Sequence, residues 1–379
     1  MITLASLIEQ FGPALRERHH LLPSQAQALA AMARCRTRFA PRMLAQCTGC
    51  GEQRSVPHSC GHRACPHCQH HDSQVWLQRQ LNALVPARYF LITFTLPREL
   101  RGLALGHQRV VYALLMQCAW QTLATFSRND RHLQATPGAV GVLHTHSRRL
   151  DFHPHVHMVM PAAALDTARG LWRTKCRTTR GKGGGYLFNH KALAKVFRGK
   201  LIAAIRAAGL ALPDKLPTAW VVDCKSVGDG SQALLYLGRY LYRGVVQEAD
   251  ILGVKDGQVS FRYRDARTGK QALRTLPGED FLWLVLQHVL PKGLRRARSF
   301  GFLHPNSAAA LRLLQVLHLR PARPLAEAAS MPTRPAWRCA CGQPMAVLRR
   351  RMPAEVVSDQ PVVHDKPDKA SPMQATTMH

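Results

Sequence analysis

Apolar residues recur at near-helical spacing in several stretches of the chain. In the first stretch, Leu4, Leu7, Ile8, Phe11 and Leu15 form one apolar stripe along a helix. A similar periodicity returns after each break in the pattern. It predicts helices over residues 1–34, 74–84, 103–127, 190–208, 231–247 and 279–289.

Short runs of β-branched and aromatic residues separate these helices. The run YFLITFTL at 89–96 ends at Pro97, which is typical of a strand. Two β-like segments, 139–147 and 150–160, are separated by two arginines and predict an antiparallel hairpin. Further strands are predicted at 219–225, 258–264 and 271–276. Helices mixed with short strands of this kind indicate an α+β fold.

The charge of the chain narrows the class of partner. Among 379 residues, 52 Lys and Arg stand against 22 Asp and Glu, a formal net charge of +30. An enzyme that acts on small metabolites does not need so large a positive charge. A protein that binds a polyanion does, because each phosphate that it neutralises releases condensed counterions and adds to the affinity. The basic residues are spread along the chain, which favours nucleic acid over a membrane surface. No segment approaches the roughly 18–20 uncharged apolar residues of a membrane span.

The cysteines and the N-terminus predict a compartment. The first residues carry Glu9 early and have no basic stretch before an apolar run, so they do not resemble a secretory signal. Eleven cysteines in a reducing cytoplasm more often bind metal than form disulfides. We therefore expect a bacterial-type cytoplasm, with activity at the nucleoid DNA.

Two CxxC pairs predict a structural zinc site. The pairs Cys47/Cys50 and Cys65/Cys68 have 14 residues between them and lie beside turn formers, a spacing that suits a tetrahedral four-cysteine site. Cys60 is a possible extra ligand or a neighbour of the site. The nearby Arg63 fits contact with DNA phosphates. Near the C-terminus, Cys339 and Cys341 form only a CxC with no second pair close in sequence.

A histidine-rich strand predicts a second kind of metal site. Alternate side chains of a strand share a face, so His153, His155 and His157 lie on one side of the segment DFHPHVHMVM, opposite core-like Val156 and Met158. Imidazoles grouped on one face need hydrogen-bond partners or a metal. Because Pro154 suggests an edge or strand start before it, His155 and His157 are the safer ligands. The third ligand is left open among Asp151, His144 and His146.

Two tyrosines at helical spacing supply a candidate nucleophile. Tyr236 and Tyr240 are four residues apart and share a helix face, while Arg239 and Arg243 share the adjoining one. Beside arginine and a metal-bound phosphate, a phenolate forms more easily than at its usual pKa of about 10. Without other evidence, two tyrosines at this spacing are usually packing residues in the core or on the surface. Its chemical meaning depends on the histidine strand.

Together these segments resemble the rolling-circle transposases of the HUH nuclease superfamily, specifically the two-tyrosine insertion-sequence group numbered ninety-one (IS91). The resemblance covers about residues 1 to 305. It is carried, in order along the chain, by SCGHRACPHCQ (59–69), FTLPREL (94–100), FHPHVHMV (152–159), YLGRYLYR (236–243), FRYRD (261–265) and HVLPKGLRRARSFGFL (288–303).

The resemblance implies a mechanism and an architecture. His155 and His157 match the HUH pair and would hold Mg²⁺ or Mn²⁺, and Tyr236 and Tyr240 match the two nucleophiles. One tyrosine would cut single-stranded DNA at the element's ends and keep a 5′-phosphotyrosine link, and the second would allow another strand transfer without ATP. The implied core is an antiparallel sheet flanked by helices. The expected parts are a helical zinc-binding domain (1–85), the catalytic domain (86–305), an extension with the CxC (306–350) and a disordered tail (351–379).

Other functions share these features in part. A replication initiator or conjugative relaxase would use the same chemistry, but the zinc knuckles before the histidine strand and the absence of helicase motifs argue against both. A catalytically inactive, zinc-containing DNA-binding remnant would carry the same basic charge. The intact histidine and tyrosine sets argue against that alternative.

Overall fold

A computed structural model describes residues 2–175, 185–241, 244–265, 267–317 and 337–354 of the chain. Arg243, most of the predicted C-terminal tail and the side chain of Tyr240 lie outside this description.

The helices begin where the sequence provides caps or a proline. The side chain of Thr3 accepts a hydrogen bond from the backbone N–H of Ser6 and forms a capping box for the first helix. Pro23 opens the second, and Asn189 caps the sixth through the N–H of Ala192. The α-helices of the described residues are α1 (Leu4–Arg18), α2 (Pro23–Arg34), α3 (His70–Asn82), α4 (Arg101–Gly106), α5 (Gln108–Asn129), α6 (His190–Ala207), α7 (Ser231–Leu241), α8 (Gly278–Leu286) and α9 (Ala308–Leu317).

Within the described ranges, the strands form three antiparallel sheets. They are β1 (Arg42–Cys47), β2 (Gln53–Pro57), β3 (Tyr89–Thr95), β4 (Thr136–His146), β5 (Phe152–Pro161), β6 (Ala163–Asp166), β7 (Leu171–Thr174), β8 (Val222–Ser226), β9 (Ile251–Lys255), β10 (Gln258–Arg264), β11 (Gln271–Pro277), β12 (Ala297–Gly301) and β13 (Met345–Met352). The large sheet has the order β7-β6-β4-β5-β3-β8, with β12 also paired to β4. The two smaller sheets are β13-β1-β2 and β11-β10-β9.

The large sheet is covered on both faces. Strand alternation places Val156, Met158 and Ile92 against α5 and α6, where all three are fully buried. The opposite face carries Val142 and Val159, and there the buried leucines of α7 pack. Because both faces are buried, a shift of one residue in register would exchange the two sets of side chains, so the register is strongly fixed.

The N-terminal helices do not form a core by themselves. Leu7, Phe11 and Leu15 of α1 pack with Phe261 of β10 and Phe281 of α8 in one buried cluster. Arg18 also pairs with Glu279 at 2.7 Å. The N-terminal helices are thereby attached to the region that follows the tyrosine helix, and the domain limit at residue 85 stays a prediction.

The C-terminal strand returns to the N-terminal region. β13 pairs antiparallel with β1, so that Met345 lies opposite Cys47 and Arg349 opposite Leu44. The strand continues to Met352, two residues into the segment predicted as tail. Residues 355–379, which held the rest of that prediction, lie outside the described part of the chain.

The α+β class, with an antiparallel sheet flanked by helices, is confirmed. The hairpin is confirmed as β4 and β5. The helix predicted at 103–127 divides at His107 into α4 and α5. Among the described residues, no helix is both long and apolar enough to cross a lipid bilayer.

Gly301 occupies a position that excludes a side chain. It ends β12 with a positive φ of 60°, and a Cβ atom there would lie 1.7 Å from the carbonyl oxygen of Pro137. Replacing Gly301 with Ala should lower the free energy of unfolding by about 2–4 kcal/mol, since backbone must move as well as adopt a strained φ. Urea denaturation measures the change.

Gly199→Ala is the matched control. Gly199 lies within α6, and apart from its chain neighbours and the adjacent backbone of the same helix, no described atom lies within 4 Å of the position that a Cβ atom would take there. Alanine should therefore raise stability by about 0.5–1 kcal/mol. Equal effects of the two substitutions would contradict the close approach at Gly301.

His288 is a buried histidine between α8 and β12. Its side chain is 2% exposed, and its Nε2 donates to the carbonyl oxygen of Leu150 at 2.9 Å. Burial, with a contribution from the nearby Arg296 charge, lowers the pKa of His288 to about 4. The ring is therefore neutral at pH 7.

This histidine should make the fold sensitive to acid. A folded pKa below the unfolded value of about 6.5 means that its contribution is complete above pH 6.5 and is lost as the pH falls toward 4. Between pH 7 and 4, wild type should lose about 3 kcal/mol more stability than His288→Gln, whose amide can still donate to Leu150. Parallel profiles of unfolding free energy against pH would contradict this assignment. Protonation of the cysteines affects both proteins and cancels in the comparison.

Candidate metal centre and tyrosine helix

The register of two central strands brings three histidines together. His157 lies opposite Val142 of β4 and Thr93 of β3, and His155 lies opposite His144. Residues directly opposite in an antiparallel sheet share a face. One ring nitrogen each of His144, His155 and His157 therefore lies within 4.8 Å of the other two. These three residues form the histidine centre.

Hydrogen bonds orient two of the rings. The Nδ1 atom of His155 lies 2.7 Å from the backbone oxygen of His153, and a carbonyl can only accept, so Nδ1 carries the proton. The Nδ1 atom of His157 bonds the hydroxyl of Thr93 at 2.9 Å. In both rings Nε2 is left for a ligand. A metal-binding histidine commonly has this second partner, which fixes its tautomer and ring orientation.

Burial keeps the histidine centre neutral. It lowers the pKa of His157 to about 3, with a further contribution from His155. The pKa values of His144 and His155 are lowered for the same reason, and that of His144 also by its histidine neighbours. Neutral imidazoles can bind a cation without first losing protons.

The other histidine and acidic candidates are neighbours of this centre but do not direct a ligand atom into it. His153 contacts the guanidinium of Arg101. Asp151 accepts from Arg274 at 2.8 Å and from Ser147 at 3.2 Å. Neither Asp151 nor His146 joins the cluster that the described residues form. Of the three residues left open as third ligand, the structure brings only His144 to His155 and His157.

Helix α7 presents a tyrosine to this centre. The rings of Tyr236 and His157 meet edge to face, with centroids 6.3 Å apart, and Tyr236 is 38% exposed. Leu234 and Leu237 are buried against the sheet and fix the helix in this orientation. Tyr240 lies one turn further along α7, and Arg239 is exposed on the same helix.

Arg296 is a residue near the site that sequence reasoning missed. Its guanidinium donates to the backbone oxygen of Leu241, the last residue of α7, at 2.9 Å. Its charge is close enough to contribute to the low pKa of His144 and His146. It lies in the run LRRAR at 294–298, where no periodicity distinguishes it from its basic neighbours. Only the pairing of β12 with β4 places it here.

The cysteines form two clusters, and the single site predicted from Cys47, Cys50, Cys65 and Cys68 is corrected accordingly. Cys65 and Cys68 lie with Cys35 and Cys60, the residue predicted as an extra ligand. Cys47 and Cys50 lie with the C-terminal pair Cys339 and Cys341. The spacing between two CxxC pairs describes only their separation along the chain. The pairing of β1 with β13 in the three-stranded sheet brings Cys47 and Cys50 close to Cys339 and Cys341.

The first cluster has the dimensions of a four-cysteine zinc site. The sulfur of Cys35 lies 3.6 Å from those of Cys65 and Cys68, and Cys60 is also 3.6 Å from Cys68. A tetrahedral zinc ion with Zn–S bonds of about 2.3 Å places sulfurs about 3.8 Å apart. Backbone N–H groups of Cys60 and His62 point at cluster sulfurs at 3.4 Å, as expected for groups that stabilise thiolates. These four residues fit Zn²⁺.

This cluster is connected to the tyrosine helix. Helix α3 begins two residues after Cys68, and its Ser73 donates to the backbone oxygen of Gly238 in α7 at 2.7 Å. Leu77 packs on Gly238, where a Cβ atom would lie 3.4 Å from it. His67, within the cluster loop, pairs with Glu248 at 2.8 Å. The cysteine cluster therefore anchors a helix that supports the one bearing Tyr236.

Two family models match the chain. The model described as "Transposase zinc-binding domain" matches residues 7–96, which contain the first cysteine cluster. The model described as "Putative transposase" matches residues 138–310, which contain the histidine centre and α7.

Two bacterial proteins are similar over most of the chain. A protein named "Putative transposase y4qJ" of Sinorhizobium fredii is 31% identical over 324 residues, covering 79% of this chain and 80% of that protein. The transposase for insertion sequence element IS801 of Pseudomonas savastanoi is 28% identical over 283 residues, covering 67% of this chain and 65% of the relative. The chain therefore belongs to the IS91 family of transposases, DNA-binding proteins with an N-terminal zinc-binding domain.

Proposed function

We propose that this transposase cleaves single-stranded DNA at the ends of its element and transfers the strand by a rolling-circle mechanism, with Tyr236 as a nucleophile. The observation that carries the proposal is the edge-to-face contact of Tyr236 with His157 in a partly exposed site. A nucleophile and a cation site must both reach one phosphate. The two rings are close enough for that.

The proposed reaction is a phosphoryl exchange in which each phosphodiester bond that breaks is replaced by a new one. The phenolate oxygen of Tyr236 attacks the scissile phosphorus, a bond from that oxygen to phosphorus forms, and the bond to the 3′ oxygen breaks. The phenolic proton passes to water before the attack, the 3′ oxygen takes a proton from water and leaves as a hydroxyl, and the 5′ phosphate stays on the tyrosine. A DNA 3′-hydroxyl later attacks the phosphotyrosine and releases the phenol. No ATP is needed, because each step replaces one phosphodiester with another.

His144, His155 and His157 would hold the divalent cation. When bound, that cation offsets negative charge on a nonbridging phosphate oxygen. Mg²⁺ prefers carboxylate and water oxygens. Mn²⁺, a first-row transition-metal ion, accepts imidazole nitrogen more readily than Mg²⁺ does, although less readily than Fe²⁺, Cu²⁺ or Zn²⁺. Since the donor set is all nitrogen, Mn²⁺ is the better fit of the two ions expected from the sequence.

The remaining predicted residues are assigned supporting roles. Tyr240 follows Tyr236 by one helical turn and would serve as the second nucleophile. Arg239, exposed on α7, would contact phosphate, as would Arg63 beside the first cysteine cluster and Arg243. Arg296 holds the end of α7 through the oxygen of Leu241 and adds positive charge beside the centre. The partner is single-stranded DNA at the element's termini.

Loss of the tyrosines tests the nucleophile. Wild type incubated with single-stranded oligonucleotides of the element's ends and Mn²⁺ should form a covalent protein–DNA adduct, visible on a denaturing gel. Tyr236→Phe/Tyr240→Phe should lower its rate by at least about 10³-fold, since phenylalanine has no oxygen to attack. Tyr186→Phe is the control, because Tyr186 contacts His190 of α6 and packs against the core on the sheet face opposite α7.

Two results would count against the proposal. Wild type that forms no adduct at cognate ends would favour an inactive DNA-binding remnant. An adduct that persists in the double tyrosine variant would place the nucleophile elsewhere.

Loss of His144 tests the cation site. His144→Ala should weaken Mn²⁺ binding by at least about 100-fold, because a ligand of the site is removed. Titration followed by the Mn²⁺ electron paramagnetic resonance signal measures this. His153→Gln, on the same strand as His155, should leave the affinity nearly unchanged, since the His153 side chain contacts Arg101 instead. Equal weakening by both substitutions would contradict the assignment of the third ligand.

A further inference from the structure

A second four-cysteine cluster joins two distant parts of the chain. Cys47 and Cys50 lie at the end of β1 and just after it, and Cys339 and Cys341 precede β13. The sulfurs of Cys47 and Cys341 are 3.4 Å apart, and those of Cys50 and Cys339 are 3.6 Å apart. All four sulfurs lie within 4.8 Å of one another. The C-terminal pair lies outside both regions matched by the family models.

Each pair lies in a tight turn of similar design. The backbone N–H groups of Gly49 and Cys50 point at the sulfur of Cys47 at 3.3 and 3.4 Å. A glycine with positive φ follows each pair, Gly51 at 73° and Gly342 at 85°, and reverses the chain. N–H groups aimed at sulfur stabilise a thiolate, which is the form that binds metal.

The two turns also contact each other directly. Thr48 donates to the backbone oxygen of Pro344 through both its hydroxyl, at 3.0 Å, and its N–H, at 3.1 Å. Gln343 packs so closely on Gly49 that a Cβ atom there would lie 2.7 Å from it. The sulfurs of the two turns are therefore held face to face by the surrounding backbone.

A disulfide and free thiols both fit these cysteines less well than a metal does. A disulfide needs a sulfur separation of about 2.05 Å, and the distances here match instead the roughly 3.8 Å edge of a tetrahedral zinc–thiolate site. Packing of free thiols in a core would bury them, but Cys50 and Cys341 are exposed. Four sulfurs that lie together at the surface are therefore not explained by packing in an apolar core.

The C-terminal segment has little else to hold it. Among residues 337–354, which the structure describes, Cys339 is the only buried side chain. β13 is otherwise attached through its backbone pairing with β1 and through a contact of the His58 ring with the backbone oxygen of Arg350, and its interior side chains are all exposed. A strand on a small sheet with almost no buried side chains is marginally stable without a further constraint.

We propose that Cys47, Cys50, Cys339 and Cys341 bind a second structural Zn²⁺, which fastens the C-terminal strand β13 to the zinc-binding domain. The ion closes a site whose halves are 289 residues apart at Cys50 and Cys339. All four positions are taken by thiolates, so the role is structural. The ion also fixes the exposed Arg349, Arg350 and Arg351 of β13 alongside β1.

Counting sulfur-bound metal in the full-length protein tests the proposal. Cobalt(II) exchanged for zinc gives sulfur-to-metal charge-transfer absorption when thiolates bind it, and histidine-bound cobalt gives none. Wild type should saturate this absorption at two equivalents of cobalt per chain. Saturation at one equivalent would overturn the proposal without reference to any variant, and regardless of whether the protein cleaves DNA.

Paired variants locate the second ion. Cys339→Ala/Cys341→Ala should lose one of the two sulfur-bound ions. Cys118→Ala/Cys224→Ala should lose none, because those cysteines are buried in the main core away from both clusters. Hydrogen exchange of the peptide covering 345–352 should accelerate by about tenfold or more in the first variant only, as the strand is released.

Two further results would refute the assignment. A Cys339→Ala/Cys341→Ala protein that keeps both ions and the protection of β13 would show that the C-terminal pair is not a ligand pair. A disulfide between the two pairs, found by mass spectrometry without reductant in protein holding one sulfur-bound ion, would replace the metal with a redox link.

Discussion

The antiparallel register of β3, β4 and β5 is the constraint on which the site depends. Because opposite residues share a face, this register places His144 beside His155 and His157, and Thr93 beside His157. The same face receives the buried leucines of α7, so the packing that buries the sheet also brings Tyr236 to the histidines. A slip of one residue would move the histidines into the core beneath α5 and bring methionines to the tyrosine.

Burial at this face has an electrostatic consequence. Several histidines lie close together, and a charged ring among them would be both desolvated and repelled. The low pKa values of His144, His155 and His157 follow from this arrangement. The cost of desolvation thus leaves a set of neutral nitrogen donors, which is the state a cation site requires. Arg296 adds positive charge at one side, where a phosphate would benefit from it.

The two cysteine clusters lie outside the histidine centre and connect elements of the surrounding structure. The first cluster leads directly into α3, which packs on α7 through Ser73 and Leu77. The second connects the small sheet of the N-terminal region to the last described strand. The N-terminal helices share a core with α8 and β10. N-terminal elements therefore contact the tyrosine helix and the region that follows it, and the two regions matched by the family models pack against each other.

Most of the correct predictions came from local sequence patterns. The tertiary structure determined which residues that are distant along the chain lie close together. Period-two alternation distinguished His155 and His157 from core residues, and helical spacing found α7, because backbone geometry fixes the relative positions of near neighbours. The ordered segments identified the family, which the comparisons confirmed. The third histidine stayed open, because only strand pairing shows that His144 lies opposite His155. Cys47 was joined to the wrong pair, because a partner 294 residues away leaves no trace in local spacing. The sequence by itself determined the residue types and their local faces, while long-range pairing of strands selected their partners.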